Sequence, residues 1–312
     1  MKDHGSDTPS GNCPDATAEE TLPCLCVLAS GSKGNSIYIS SGNTSVLFDA
    51  GLSGVEIERR MRDKGLDPRK LDAIVVSHEH SDHIRGVGVL ARRFGLPLHI
   101  APETAKAGQR ALGRISTTIP FECGTPFSIN DLEIHPFSVS HDAATPAGFT
   151  IQTCGCKIAI ATDLGVATGM VRQHLKDCTH LVLEANHDPY MLEHGPYPWP
   201  LKQRIKGRDG HLSNESAKEL LMEILHEGLE HVVLAHISET NNTPEKALSV
   251  VAERCNRHSV RFSVGLQHCC SERLDFCLNA HKETMRHPNE EQIARNRNRK
   301  QARKARQENT NE

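Results

Sequence analysis

The chain has 312 residues, long enough for one large α/β domain with its own core. A formal net charge of -3 excludes a protein that is a basic nucleic-acid binder throughout, and an aromatic content of 4%, with one Trp, offers no evident base-stacking platform. Eleven cysteines with no CxxC pair exclude a zinc ribbon or thioredoxin-type motif; in a chain this long they are read as reduced, mostly buried thiols.

Residues 1–22 are polar, without periodicity, and are expected to be a disordered leader carrying no signal peptide. A strand is expected over Cys24–Ala29, ending in the small-residue loop Ser30–Ser36. Ile37–Ser40 and Ser45–Asp49 form a hairpin about the Gly42-Asn43 turn. Gly54–Lys64 has helical spacing and stops at Gly65. Ala73–Val76 is a continuous apolar run, as in a buried strand, followed by one helix over Asp82–Phe94 and a strand at Leu98–Ala101. Residues 120–162 alternate in the β manner, with a second hairpin, Gly148–Thr153 and Lys157–Thr162, whose turn contains Cys154-Gly155-Cys156. Val166–Leu175 reads as helix, Leu181–Glu184 as buried strand, and Asp188–Gly210, with three prolines between Pro196 and Pro200, as a long connection. Ser213–Leu225 is an amphipathic helix capped by Ser213. His231–Ala235 is a strand, Thr243–Arg254 a helix opened by Pro244, and Val260–Val264 and Arg273–Phe276 are short terminal strands. Hairpin-rich halves with interspersed helices suit sheets covered by helices, an αββα sandwich over 23–281. Residues 282–312 form a basic tail, with seven cations and no acid between Arg295 and Arg306, read as a solvated segment or a nucleic-acid-contacting arm. No apolar stretch is long enough to span a membrane, and the cytoplasm is the expected location.

The chemistry is concentrated in Ser77-His78-Glu79-His80-Ser81-Asp82-His83, directly after a buried strand. In an extended loop, residues two apart face the same way, so His78 and His80 can grip one ion. Asp82 and His83, where the chain turns into a helix, can aim at a second. Imidazoles suit zinc, iron, copper or nickel, and added carboxylates admit manganese.

His-x-His-x-Asp-His resembles the signature of the metallo-β-lactamase superfamily, and the rest of that family's pattern follows in order. Asp49 matches its strand-ending Asp, His141 its third motif, Asp163 its bridging Asp and His236 its last ligand. The resemblance covers roughly Cys24–Phe276. It implies two mixed sheets flanked by helices and two divalent ions, zinc or manganese, with iron as the other candidate. One ion is then held by His78, His80, His141 and Asp163, the other by Asp82, His83, Asp163 and His236, while Asp49 orients a ligating His. Such a pair shares a water of lowered pKa that attacks phosphorus or an acyl carbon.

Glu184, ending an apolar strand, and His211, in Gly210-His211-Leu212-Ser213, resemble the pair that serves proton transfer to the leaving oxygen in RNase Z-like phosphodiesterases. A narrower resemblance rests on Leu28–Ser36, Asn186-His187-Asp188, Gly195–Pro198, Gly210–Asn214 and His236–Asn242. It is to the YycJ/WalJ group of bacterial metallo-hydrolases, linked to DNA processing with a proposed 5′-to-3′ exonuclease activity. The tRNA-gripping arm of RNase Z and the β-CASP insert have no counterpart. Nucleic acid, DNA above all, is then the implied substrate, with Lys33, Lys202, Arg204 and Lys206 as candidate phosphate contacts and His187 as a weaker one. Two other readings stand beside it: a hydrolase of cyclic phosphodiesters, thioesters or lactones on the same metal site, and a non-catalytic scaffold. The scaffold reading leaves the clustered charges without a purpose.

Overall fold

The computed structural model describes residues 23–253, 255 and 259–276, so the readings made on 1–22 and 282–312 lie outside the described residues. Two seven-stranded mixed sheets face each other. The first contains β1 (Cys24–Ala29), β2 (Ser36–Ser40), β3 (Ser45–Phe48), β4 (Ala73–Val75), β5 (Leu98–Ile100), β6 (Thr118–Pro120) and β14 (Leu274–Asp275), in the order β14-β1-β2-β3-β4-β5-β6. The second contains β7 (Phe127–Ile129), β8 (Leu132–Ser138), β9 (Ala147–Thr153), β10 (Cys156–Ala161), β11 (His180–Glu184), β12 (His231–Ala235) and β13 (Arg261–Val264), in the order β13-β12-β11-β10-β9-β8-β7.

Strand alternation explains why the central strands read as unbroken apolar runs. Ala73 and Val75 of β4 point between the sheets, where they meet Phe48, Phe149 and Val233. Ile74 and Val76 point outward, against Ile57, Met61 and Leu90. In the other sheet, Val182 and Val233 face inward, and Leu181, Leu183, Val232 and Leu234 pack beneath Val171, Leu220, Leu221 and Val251. The outer layers are α1 (Gly54–Asp63), α2 (Ser81–Ile84), α3 (Val87–Phe94) and α4 (Pro102–Leu112) on one side. On the other side α5 (Gly169–Leu175), α8 (Asn214–Ile224) and α9 (Pro244–Val251) cover the second sheet. The expected αββα sandwich of two mixed sheets is the fold observed.

Several elements differ from the sequence reading. The helix expected over Asp82–Phe94 is broken into α2 and α3, because Gly86 donates its N–H to the Ala50 carbonyl at 2.7 Å and a Cβ there would collide with the Leu52 carbonyl oxygen. α4 was not anticipated: only Thr104, Gly108 and Leu112 are buried along it, too sparse an apolar stripe to show as periodicity. α5 starts at Gly169 rather than Val166, since the Thr168 hydroxyl caps the Val171 N–H. The connection 188–210 holds two helices, α6 (Pro189–His194) and α7 (Trp199–Lys206). Pro189, Pro198 and Pro200 occupy opening positions of these helices, where no N–H is needed, and Asp188 caps the Met191 N–H at 2.8 Å. α9 ends at Val251.

His180 and His231 sit side by side at the start of β11 and β12, 2% and 6% exposed. Burial, with Arg261 nearby and His231 beside His180, pushes both down to about 4. The unfolded chain takes up these protons near pH 6.5 and the folded chain only near pH 4. Stability is therefore complete above about pH 6.5 and is lost as pH falls through that window, by on the order of 1–2 kcal/mol each by pH 5. Urea unfolding of the chain at pH 7.5 and pH 5 should show this loss, and a His180→Gln/His231→Gln double variant should lose less. Parallel pH dependences in the two proteins would remove the assignment.

Candidate metal centre and active site

All the residues singled out for metal binding come together at one end of both sheets, on loops that leave the strands. Asp49 follows β3, Ser77–His83 follow β4, His141 follows β8, Asp163 follows β10 and His236 follows β12. Three of them, Asp49 (φ 60°), Asp163 (φ 54°) and His236 (φ 54°), hold left-handed backbone without being glycine. Such backbone costs about 1–2 kcal/mol per residue and persists where the surroundings dictate it. Here the turn reverses each side chain from the strand end into the cluster.

Three imidazole nitrogens converge first. His80 Nδ1 lies 3.1 Å from His78 Nε2 and 3.2 Å from His141 Nε2, and Asp163 Oδ1 is 3.9 Å from His141 Nε2. A second set adjoins: His83 Nε2 is 3.3 Å from Asp163 Oδ2 and 3.6 Å from Asp82 Oδ2, which is 3.7 Å from His236 Nε2. Four ligands at about 2.1 Å around a tetrahedral ion stand roughly 3.4 Å apart, which is the spacing seen. Asp163 turns one oxygen to each set.

The residues fit metal ions on a further count. Among the described residues, Asp163 Oδ2 and His236 Nε2 are buried without a hydrogen-bond partner. Two orphaned lone-pair donors in one cluster are costly unless a cation takes them up. Burial alone would raise the Asp163 carboxyl, but His236 and His83 hold it well below the ordinary range. Burial alone would lower His83 and His236, but Asp163 draws both well above theirs. Asp163 thus draws positive charge to His83 and His236, whereas burial holds His78 and His141 below the ordinary imidazole range.

Outer partners set which ring nitrogen faces inward. Asp49 Oδ2 accepts from His83 Nδ1 at 2.7 Å, and its carboxylate also takes the Ser77 N–H and hydroxyl. The Ser77 hydroxyl also contacts His78 Nδ1 at 3.0 Å, and the Gly210 carbonyl lies 3.2 Å from His141 Nδ1. Each leaves the opposite nitrogen free for the cluster.

Glu184 and His211 are also brought together: Glu184 Oε1 accepts from His211 Nδ1 at 2.8 Å. The same oxygen lies 2.7 Å from His236 Nδ1, while Oε2 accepts the Leu164 and Leu212 N–H groups at 3.0 and 3.1 Å. Burial raises this carboxyl, but the charges and bonds of His211 and His236 outweigh it and hold the group at about 2. Both oxygens of Glu184 are thus taken up by four donors. The sequence pairs Glu184 with His211 alone; its hold on His236 needed the structure.

An open cavity over the cluster is lined by His211, His236, Asp142, Tyr197 and Arg204. Of the candidate phosphate contacts, Arg204 reaches it, with Nε 2.6 Å from Asp142 Oδ2. Lys33 pairs with Glu239 at 2.6 Å, Lys202 donates to the Glu193 carbonyl and Lys206 to the Glu193 carboxylate. None of these three lines the cavity. His187 is 3% exposed and does not line it either. Asn35, part of the loop motif but not read as a site residue, has Nδ2 3.2 Å from Asp82 Oδ2 and 3.0 Å from His83 Nε2. Gly51, also unread, lets the Asp82 carbonyl pass where a Cβ would overlap it.

Comparison with known proteins agrees with this geometry. Residues 44–237 match the family described as "Beta-lactamase superfamily domain". The chain is 38% identical to "Exodeoxyribonuclease YycJ" of Bacillus anthracis over 73% of its own length and 87% of that protein's. It is 38% identical to "Exodeoxyribonuclease WalJ" of Streptococcus pneumoniae over 71% of this chain and 84% of the other. Among solved structures, the metallo-β-lactamase fold protein YhfI from Bacillus subtilis superposes with a TM-score of 0.61 at 16% identity, covering 80% of this chain and all of that one. With its two facing sheets, its His and Asp cluster at their shared end and these relatives, the chain belongs to the metallo-β-lactamase superfamily and, within it, to the family of the YycJ and WalJ proteins.

Proposed function

We propose that the chain is a metal-dependent phosphodiesterase that shortens DNA from its 5′ end. The observation that carries this reading is the position of His211. Its ring centroid is 5.1 Å from that of His141 and 4.9 Å from that of His236, it lines the cavity, and its Nδ1 is bound to a fully buried carboxylate. Nε2 is thereby turned away from Glu184 and is the atom placed to hand a proton to a departing oxygen. An alkoxide leaving a phosphodiester needs such a donor. The names of the curated relatives, both exodeoxyribonucleases, support the substrate class.

Two divalent cations, zinc or manganese, would supply an acidified water and neutralise charge on the phosphoryl oxygens. His78, His80 and His141 would hold one, Asp82, His83 and His236 the other, and Asp163 both. Asp49 and Ser77 keep His83 and His78 in the ligating orientation. Arg204, braced by Asp142, offers its guanidinium to a phosphate at the cavity wall. Among the described residues Cys24, Cys26, Cys178 and Cys255 are buried free thiols, and no helix is long and apolar enough to cross a membrane. Buried thiols of this kind support a place of action in the reducing cytoplasm.

The test is metal-supplemented turnover of 3′-labelled single- and double-stranded DNA beside bis(p-nitrophenyl) phosphate. Stepwise shortening from the 5′ end is expected. Turnover of the small ester, or of short acyl esters, without any shortening of DNA would overturn the reading in favour of a small-molecule hydrolase.

A further inference from the structure

The chain has three Tyr and one Trp. Tyr38 is buried in the core, and the other three fall within the ten residues Tyr190–Trp199, beside the cavity. Tyr197 lines the cavity wall, while Tyr190 and Trp199 are 68% and 62% exposed. Large aromatics so clustered and so exposed on a chain otherwise poor in them mark a contact surface. The sequence-wide scarcity of aromatics therefore misleads: it is their local density that matters.

The segment is held firmly. Gly195 rests on the loop after β12, where a Cβ would lie 2.5 Å from Asn241 Oδ1. The His211 N–H donates to the Ile205 carbonyl at 3.0 Å, so α7 is tied to the proton-donating residue itself. Its charge points to a polyanion. From Trp199 to Arg208 there are four cations, Lys202, Arg204, Lys206 and Arg208, and no acid. Arg204 spends only Nε on Asp142, and its two terminal amino groups have no hydrogen-bond partner among the described residues. A purely apolar protein partner would not call for this fork beside the aromatic rings.

We infer that Tyr197 and Trp199 form a stacking platform for single-stranded nucleic acid, resting on the nuclease reading above. A terminal base lies on the Tyr197 ring inside the cavity and its phosphate meets the free amino groups of Arg204. The adjoining base lies on Trp199, two residues further along, as the strand leaves over the start of α7. Stacking on aromatics is sequence-tolerant, because every base has a π-face, so the platform would admit any terminal nucleotide.

Trp199 is the chain's one tryptophan and so reports on this surface directly. In a His211→Ala protein, which slows cleavage and keeps its metal content, 5′-phosphorylated oligothymidylate should quench its fluorescence saturably. In the active chain, Tyr197→Ala should raise KM for single-stranded DNA about tenfold, with a much smaller change in kcat, and Tyr197→Phe should restore it. The ratio of kcat/KM for DNA to that for bis(p-nitrophenyl) phosphate should fall about tenfold in Tyr197→Ala. Absence of quenching by an oligonucleotide that the active chain shortens, or an unaltered KM in Tyr197→Ala, overturns the platform and leaves the nuclease reading standing. Failure of the unmodified chain to shorten DNA at all sinks that reading, and the platform with it.

Discussion

Asp163→Asn is expected to lower turnover of any phosphodiester by about 10²–10³-fold or more, and to leave the purified chain short of its full metal content. Asp163 offers an oxygen to each half of the cluster, 3.3 Å from His83 and 3.9 Å from His141, and one of those oxygens is an orphan among the described residues. An amide keeps the size but removes the charge and one lone-pair oxygen. Asn is the right replacement because the position is left-handed, a conformation Asn accepts as readily as Asp and Ala does not. Loss of metal and activity in a variant with an unchanged circular dichroism spectrum then reports on ligation, not folding. A variant that retains two ions per chain and near-normal turnover would remove Asp163 from the centre.

The second prediction sets His211→Ala against Glu184→Gln. On the proposed reading, removing His211 takes away a proton donor but no ligand. Turnover should fall by about 10²–10⁴-fold while metal content stays near normal. The defect should shrink for substrates whose leaving group needs no protonation, such as p-nitrophenolate. Glu184→Gln looks milder and is expected to be broader. One carboxylate oxygen serves the Nδ1 atoms of His211 and His236, and the other serves the N–H groups of Leu164 and Leu212. Whichever way the amide sits, its NH2 faces two donors. The ligand His236 therefore loses its orientation along with His211, and metal affinity should drop by about 10–100-fold in addition to the loss of turnover. Metal titration of the two variants separates the roles. If Glu184→Gln binds metal like the parent while His211→Ala does not, the assignment of the two residues is reversed.

The linear order of residues carries much of this protein. Continuous apolar runs such as Ala73–Val76 and Leu181–Leu183 disclose strands covered on both faces, because each alternate residue meets a different apolar layer. The Ser213 cap discloses the start of α8. Three His and one Asp in six residues disclose a metal centre, since no packing role accounts for so many lone-pair donors at one strand end. Local signals of this kind depend on neighbours within a few residues, and they survive in sequence.

Contacts made across long separations were decided only by the tertiary structure. The break between α2 and α3 exists because the chain at Ala50–Leu52 runs against Gly86, more than thirty residues away. Glu184 reaches His236 at a sequence separation of 52, and nothing near either residue announces it. Asn35 joins the cluster through Asp82 and His83 at separations of 47 and 48. Lys33, Lys202 and Arg204 look alike as surface cations in sequence, yet of these only Arg204 is delivered to the cavity, because α7 turns Arg204 toward it and Lys202 toward Glu193, while Lys33 pairs with Glu239. The sequence determined the kinds of ligands and the strands that carry them; which atoms share a carboxylate, and which cations meet the substrate space, followed from the closing of two sheets over a common end.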